Sequence, residues 1–213
     1  MKKFNLSLVA VLAMSTFVIA GGDIAPVEPV IEEPIVETVS DAGFYLGLGY
    51  GWTSLETTDN NFNPSITDSA KMGSIMIDAG YKFNQYIAVE GRYWFGLGDS
   101  NALGWTGGVP GDVTVDSWGI YVKPMYPVTD AFDIYALLGY GGSDITIDNV
   151  SGRNFEADGF SWGLGAAYDV TENVSVFLDY TEVINNDDIK FGGLPTNIDF
   201  STDVVTFGVN YKF

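Results

Sequence analysis

Residues 43–52 read GFYLGLGYGW, and the alternation within them decides the fold. Phe44, Leu46, Leu48, Tyr50 and Trp52 fall on one parity; Tyr45, Gly47, Gly49 and Gly51 fall on the other. Successive side chains of a strand point to opposite faces, so this is a strand with one large apolar face and one face of mostly small residues. The pattern recurs at 75–83, 87–97, 118–124, 132–140, 160–168, 174–180 and 205–213, giving eight candidate strands. A soluble sandwich would bury the apolar face and expose charge on the other. Here the second face carries Gly, Ser, Thr and aromatic residues with a few charges of both signs, which suits a narrow polar interior. The apolar face carries Tyr, Trp and Phe near the strand ends, as the aromatic girdles of a membrane barrel require.

The connections alternate as well. Short turns follow Phe83 (Asn84-Gln85), Pro127 (Val128-Thr129-Asp130) and Val170 (Thr171-Glu172-Asn173). Long polar stretches fill 54–70, 98–114, 142–157 and 184–200. Three short turns and four long loops fit eight strands with both chain ends on one side. The expected fold is therefore all-β: a transmembrane up-and-down antiparallel β-barrel of eight strands over 43–213. Pro124 lacks an N–H to donate, so it is expected at a bulge or near a strand end.

The N-terminus reads as an address. Lys2 and Lys3 precede an apolar stretch from Leu6 to Ala20, and Val18-Ile19-Ala20 is an acceptable cleavage site. This marks 1–20 as a secretory signal peptide; the run is short for the alternative, a spanning anchor. Residues 21–42 carry Pro26, Pro29 and Pro34 among Glu28, Glu32, Glu33 and Glu37, an acidic, Pro-rich segment expected to be an extended periplasmic linker. A Pro-rich recognition peptide is the alternative.

Composition narrows the function classes. A formal net charge of −19 excludes nucleic acid, which needs a basic face. With 46% hydrophobic and 15% aromatic residues, that charge does not signal disorder in the body of the chain. The sequence holds no cysteine and no histidine. That removes disulfides, thiolate nucleophiles, the usual general base and the commonest zinc ligand. No cofactor or metal site is expected. The glycines at 47, 49 and 51 lie within a strand and open no helix, so they are not a phosphate loop.

The last residues, Val-Asn-Tyr-Lys-Phe at 209–213, end on Phe213 with Tyr211 two before it. This resembles the C-terminal signal by which the barrel assembly machinery recognises outer-membrane substrates. With the eight-strand count, residues 43–213 resemble the small outer-membrane β-barrel proteins of the porin family, with an OmpA/OmpX-like barrel domain. The resemblance implies location in the outer membrane of a Gram-negative envelope, long loops outside, and a plugged or narrow lumen. It also implies a role in envelope integrity, adhesion or minor permeability. The partners it implies are lipid, lipopolysaccharide and the assembly machinery. The known enzymes among such small barrels rely on an active-site histidine, so no enzyme is expected here.

By parity Asp78, Lys82, Glu90, Arg92, Lys123, Asp133, Asp169, Asp179 and Lys212 face inward. Buried charges must be paired or wetted. The turn positions put Asp78 across from Arg92 and Lys123 across from Asp133, with Glu90 sharing the arginine. The cluster of Asp78, Lys82, Glu90, Arg92, Lys123 and Asp133 has two readings: a satisfied polar plug, or a gate along a narrow water path. Inward glycines leave space that is either wet or filled by Tyr45, Trp94, Tyr121, Tyr135 and Phe177. The loops are expected to be acidic at Asp99, Asp112, Asp116, Asp144, Asp148, Asp187 and Asp188. The leading expectation is a non-catalytic barrel with a structural or surface role and a largely plugged lumen. The alternatives are a narrow porin-like channel for ions or small solutes, or an adhesin with Phe62 and Trp105 among its contacts. A host or surface ligand is not named by the sequence.

Overall fold

A computed structural model describes residues 41–61, 64–98, 113–147, 154–186, 190–191, 194–195 and 198–213. The expected signal peptide, the expected linker up to residue 40, Phe62, Asp99, Trp105, Asp112, Asp148, Asp187 and Asp188 lie outside the described residues. The elements are β1 (Gly43–Asp59), β2 (Ile66–Asn84), β3 (Ile87–Gly96), β4 (Val113–Thr129), β5 (Phe132–Ile147), β6 (Asn154–Asp169) and β7 (Val174–Asn186). A two-residue ladder, β8 (Lys190–Phe191) with β9 (Leu194–Pro195), precedes the last strand, β10 (Ile198–Lys212). Eight strands close into an antiparallel barrel in the order β1-β10-β7-β6-β5-β4-β3-β2. The seam between the first and last strands is zipped from Tyr45↔Lys212 to Asp59↔Ile198, and the Phe213 N–H donates to the Phe44 carbonyl at 2.9 Å. Both ends of the barrel domain therefore lie at the short-turn end.

The parity read from the sequence holds through the middle of every barrel strand. Leu46, Leu48, Ile77, Ile120, Val122, Leu138, Leu164, Leu178 and Phe207 face outward and are exposed. Aromatic residues flank this band, with Phe44, Phe83, Tyr126, Tyr168 and Phe213 towards the turns and Tyr50, Trp52, Tyr140, Phe160 and Tyr180 towards the loops. An outward apolar band between two aromatic girdles is the surface a bilayer stabilises.

Beyond the loop-side girdle the polarity reverses. Outward positions become Glu56, Lys71, Asp116, Asp144, Asp158, Glu182 and Asp203. Inward positions become Leu55, Ala70, Met72, Val115, Ile145, Ala157, Ile184 and Phe200, which pack into one buried apolar cluster. Two solvents act on the same strands. Within the bilayer the wall is apolar outside; past it the wall faces water and keeps its apolar side chains inside, as a soluble barrel does. This corrects the expected loops. Residues 54–59 and 66–70 belong to β1 and β2, and Asp116 and Asp144 sit on strands. The alternation continues there with its sign inverted.

Two further corrections concern β4 and β5. The turn between them is Asp130-Ala131, not the expected Val128-Thr129-Asp130, because β4 runs to Thr129. The rungs Val122↔Leu138 and Met125↔Tyr135 fix a register four residues away from the expected one. Lys123 and Pro124 make no rung with β5, so the proline interrupts the ladder on that side while remaining opposite Ile87 on β3.

Candidate functional site

The lumen is layered. At its middle, towards the turn end, sit five charged side chains from four strands: Asp78, Glu90, Arg92, Lys123 and Asp179, each at most 5% exposed. Arg92 pairs with Glu90 two residues along β3, and with Asp179 of β7 at 2.8 Å. Lys123 of β4 pairs with Glu90 at 2.8 Å. Glu90 therefore lies between the two cations. Tyr45 donates to Glu90 at 2.5 Å and Tyr135 to Asp179 at 2.7 Å. The Arg92 guanidinium also lies against the Trp94 and Phe177 rings, 5.8 and 5.6 Å from their centroids. The Lys123 ammonium sits 4.1 Å from the Tyr135 centroid. Removing two ions from water is offset only when their remaining hydrogen-bonding groups are satisfied, and this network satisfies them.

The register places Asp78 across from Arg92 and Gly80 across from Glu90, as the first turn implied. The partners differ. Arg92 reaches across the lumen to Asp179, and Asp78 meets Asn210, whose amide nitrogen, turned towards it, donates to both carboxylate oxygens at 3.2 Å. Glu90 shares the arginine as expected. The expected Lys123–Asp133 pair is not formed, because the four-residue shift leaves Asp133 opposite Pro127 near the barrel mouth. Asp179 was legible as inward, but its role needed the distance across the barrel, which no alternation encodes.

Several of the inward glycines face rings, while Gly47 faces the Asp78 and Asn210 side chains. A Cβ at Gly80 would strike the Tyr45 ring, and one at Gly165 would strike Tyr135. Beside and above the charges, Met76, Trp94, Tyr121, Leu137, Phe177, Val183 and Val204 pack into one buried cluster. Hydroxyl pairs line the same level, with Thr53–Ser74 at 3.1 Å, Ser117–Ser143 at 2.8 Å and Tyr121–Ser161 at 2.9 Å. The apolar cluster around Leu55 and Phe200 closes the lumen above them.

Lys82, Asp133 and Lys212 lie at the mouth, not in the buried cluster. They line a cavity of about 70 Å³ whose inner wall includes Tyr45, Lys123 and Asn210. Asp41, just before β1, bridges Lys82 at 3.2 Å and Lys212 at 3.4 Å, linking both neighbours of β1. Burial opposes ionisation of its carboxyl, but the Lys82 and Lys212 ammoniums outweigh it and hold it below the ordinary carboxylate range. Tyr211 and Phe213 face outward, 48% and 69% exposed, with ring centroids 5.1 Å apart. Among the described residues no group of acids, histidines or cysteines is arranged to hold a metal ion.

A closed eight-strand barrel with an apolar outer band and aromatic girdles is the geometry of outer-membrane barrels. The outer membrane protein beta-barrel domain family matches residues 9–213. The chain belongs to that family. This outer-membrane barrel has no match among curated proteins. Neisserial surface protein A is similar over 81% of this chain and 99% of its own, at 19% identity and a TM-score of 0.55. OprG from Pseudomonas aeruginosa is similar over 82% and 97%, at 14% identity and a TM-score of 0.53. Ail, the attachment invasion locus protein of Yersinia pestis, is similar over 80% and 99%, at 14% identity and a TM-score of 0.52. At these identities the likeness is one of fold.

Proposed function

We propose that the protein is a plugged, non-catalytic barrel of the outer membrane whose working surface is its loop end. The observation that carries this is the lumen's filling. An ion-paired layer, a ring-filled layer and an apolar layer follow one another, and Leu55, Trp94, Glu90 and Val183 are each at most 2% exposed. The mouth cavity stops at Lys123 and Asn210. A path for hydrated ions would have to break the Arg92–Asp179 and Lys123–Glu90 pairs and then dissolve ions in an apolar section, which is strongly unfavourable. In this reading residues 1–20 are cleaved on export, the linker and turns face the periplasm, and the loops face outward. Tyr211 and Phe213 present the strand end to the assembly machinery, and the girdles meet lipid and lipopolysaccharide.

A structure of Ail is described in complex with the heparin analogue sucrose octasulfate. That ligand chemistry does not suit this chain. Its net charge of −19 would repel a sulfated sugar. A surface role is therefore proposed towards partners that are not polyanions.

Single-channel recording of the refolded barrel in a planar bilayer tests the reading, with a heat-shift gel to establish folding. A folded, electrically silent barrel is expected. Steady unitary steps would establish the channel reading and make Glu90, Arg92 and Lys123 pore residues.

A further inference from the structure

Past the girdle the wall does not stay closed. The last rung between β6 and β7 is Trp162↔Glu182. Beyond it β6 continues against β5 as far as Thr146↔Asn154, and β7 continues against β10 as far as Phe200↔Asn186. The two strands part at an irregularity in the β7–β10 register, where Val183 is skipped between Glu182 and Ile184. Ser161 Oγ donates to the Glu182 carbonyl at 2.8 Å and Trp162 Nε1 to the Glu182 carboxylate at 3.1 Å, so side chains pin the floor of the resulting slot. Above that floor β6 presents the edge of residues 154–161 without a strand beside it among the described residues. At about 3.3 Å per residue the edge is ~26 Å long.

Gly159 shows that the slot is open. A Cβ built there meets nothing within 4 Å, whereas one at Gly163, below the floor, would lie 2.7 Å from the Tyr180 carbonyl of the neighbouring strand. The edge carries no proline, so the alternate N–H and C=O groups that point away from β5 are available to pair. Among the described residues of the strands beside it, the charges are acidic. Glu156 and Asp158 face outward on β6, Asp144 lies opposite Glu156, Asp116 opposite Asp144, and Glu182 stands across the slot. The described parts of β4, β5, β6 and β7 above Tyr140 contain no lysine or arginine. The inward side offers the apolar cluster of Ile145, Ala157 and Ile184.

We propose that this slot receives an extended segment of another polypeptide, which adds to β6 as a strand. Its outward side chains are basic, to meet the carboxylates, and its inward ones are small and apolar, to continue the core. Main-chain bonds supply affinity in such an addition and the alternate side chains supply selection. The proposal rests on the reading of the loop end as the working surface. A conducting barrel would overturn that reading, while a silent barrel that takes no strand would overturn this proposal alone.

The test uses the full refolded chain in lipid nanodiscs and a synthetic eight-residue peptide alternating lysine with valine. The readout is amide hydrogen exchange along 154–161. In the free protein the amides bonded to β5 are expected to be protected, and the alternate ones, which point into the slot, to exchange freely. With the peptide they are expected to slow by about tenfold or more, an effect weakened by salt. Glu156→Lys with Asp158→Lys is expected to abolish the protection, as is a proline at the centre of the peptide. Three results would each overturn the proposal. Protection of the slot-facing amides already in the free protein would mean that the chain's own segment closes the slot. A peptide of the same composition in block order could protect equally. The alternating peptide could give no protection at all.

Discussion

Arg92 is the side chain on which the buried layer depends, since it is held by both Glu90 and Asp179. Arg92→Leu would leave the Asp179 carboxylate, at 0% side-chain exposure, without its cation and take one of two cations from Glu90, and breaking a buried pair by removing one partner costs about 3–5 kcal/mol. Urea titration in lipid vesicles is expected to show an unfolding free energy lower by that amount. Asp41 gives a pH-dependent effect. A carboxylate held below its ordinary value of 3.8 stabilises the fold fully above that value and loses the contribution as pH falls through the lower folded value. Asp41→Asn is therefore expected to lower stability slightly at neutral pH and to flatten the decline below about pH 4, read from thermal unfolding at several pH values. At this scale the sequence was partly legible. Inward parity, the Asp78 register opposite Arg92 and the sharing of Glu90 followed from alternation and one turn. The Asp179 and Asn210 contacts did not, because they span the lumen between strands far apart in sequence.

A strand here is one element in two solvents. On β5, Leu138 faces lipid, while Asp144 faces water and Ile145 faces the core. The inner alternation was legible because large apolar residues on one parity announce a bilayer-facing wall. The continuation was read as loop because polar residues on that same parity look like an ending. What discriminates is the other parity, where Leu55, Val115, Ile145 and Phe200 take over the apolar role. Substitutions should follow this division. Ile120→Lys, on the bilayer face, is expected to cost about 2–4 kcal/mol at mid-depth. Asp144→Thr relieves the carboxylate row in which it lies opposite both Asp116 and Glu156, and is expected to stabilise by roughly 0.2–1 kcal/mol. Equilibrium unfolding of both variants checks the opposite signs.

For the whole molecule, closure, lumen filling and wall polarity are one design. Closing the barrel leaves the membrane-spanning section without open edges, and the filled lumen removes any need for water within it. The strand count, the ends on one side and the family were legible from repeated alternation and the terminal Phe213. The seal was not, since Gly80 and Gly165 allow either a wet or a filled interior until the rings of Tyr45 and Tyr135 are placed. The sequence contains no cysteine, so single-cysteine variants report one position each. The most direct measurement compares the labelling of Asp144→Cys and Ile145→Cys by a charged, water-soluble maleimide on the folded barrel in lipid vesicles. Rapid labelling at 144 with protection at 145, lost on unfolding, is the result expected of a sealed lumen. Equal labelling at both positions would contradict it and show a lumen open to water.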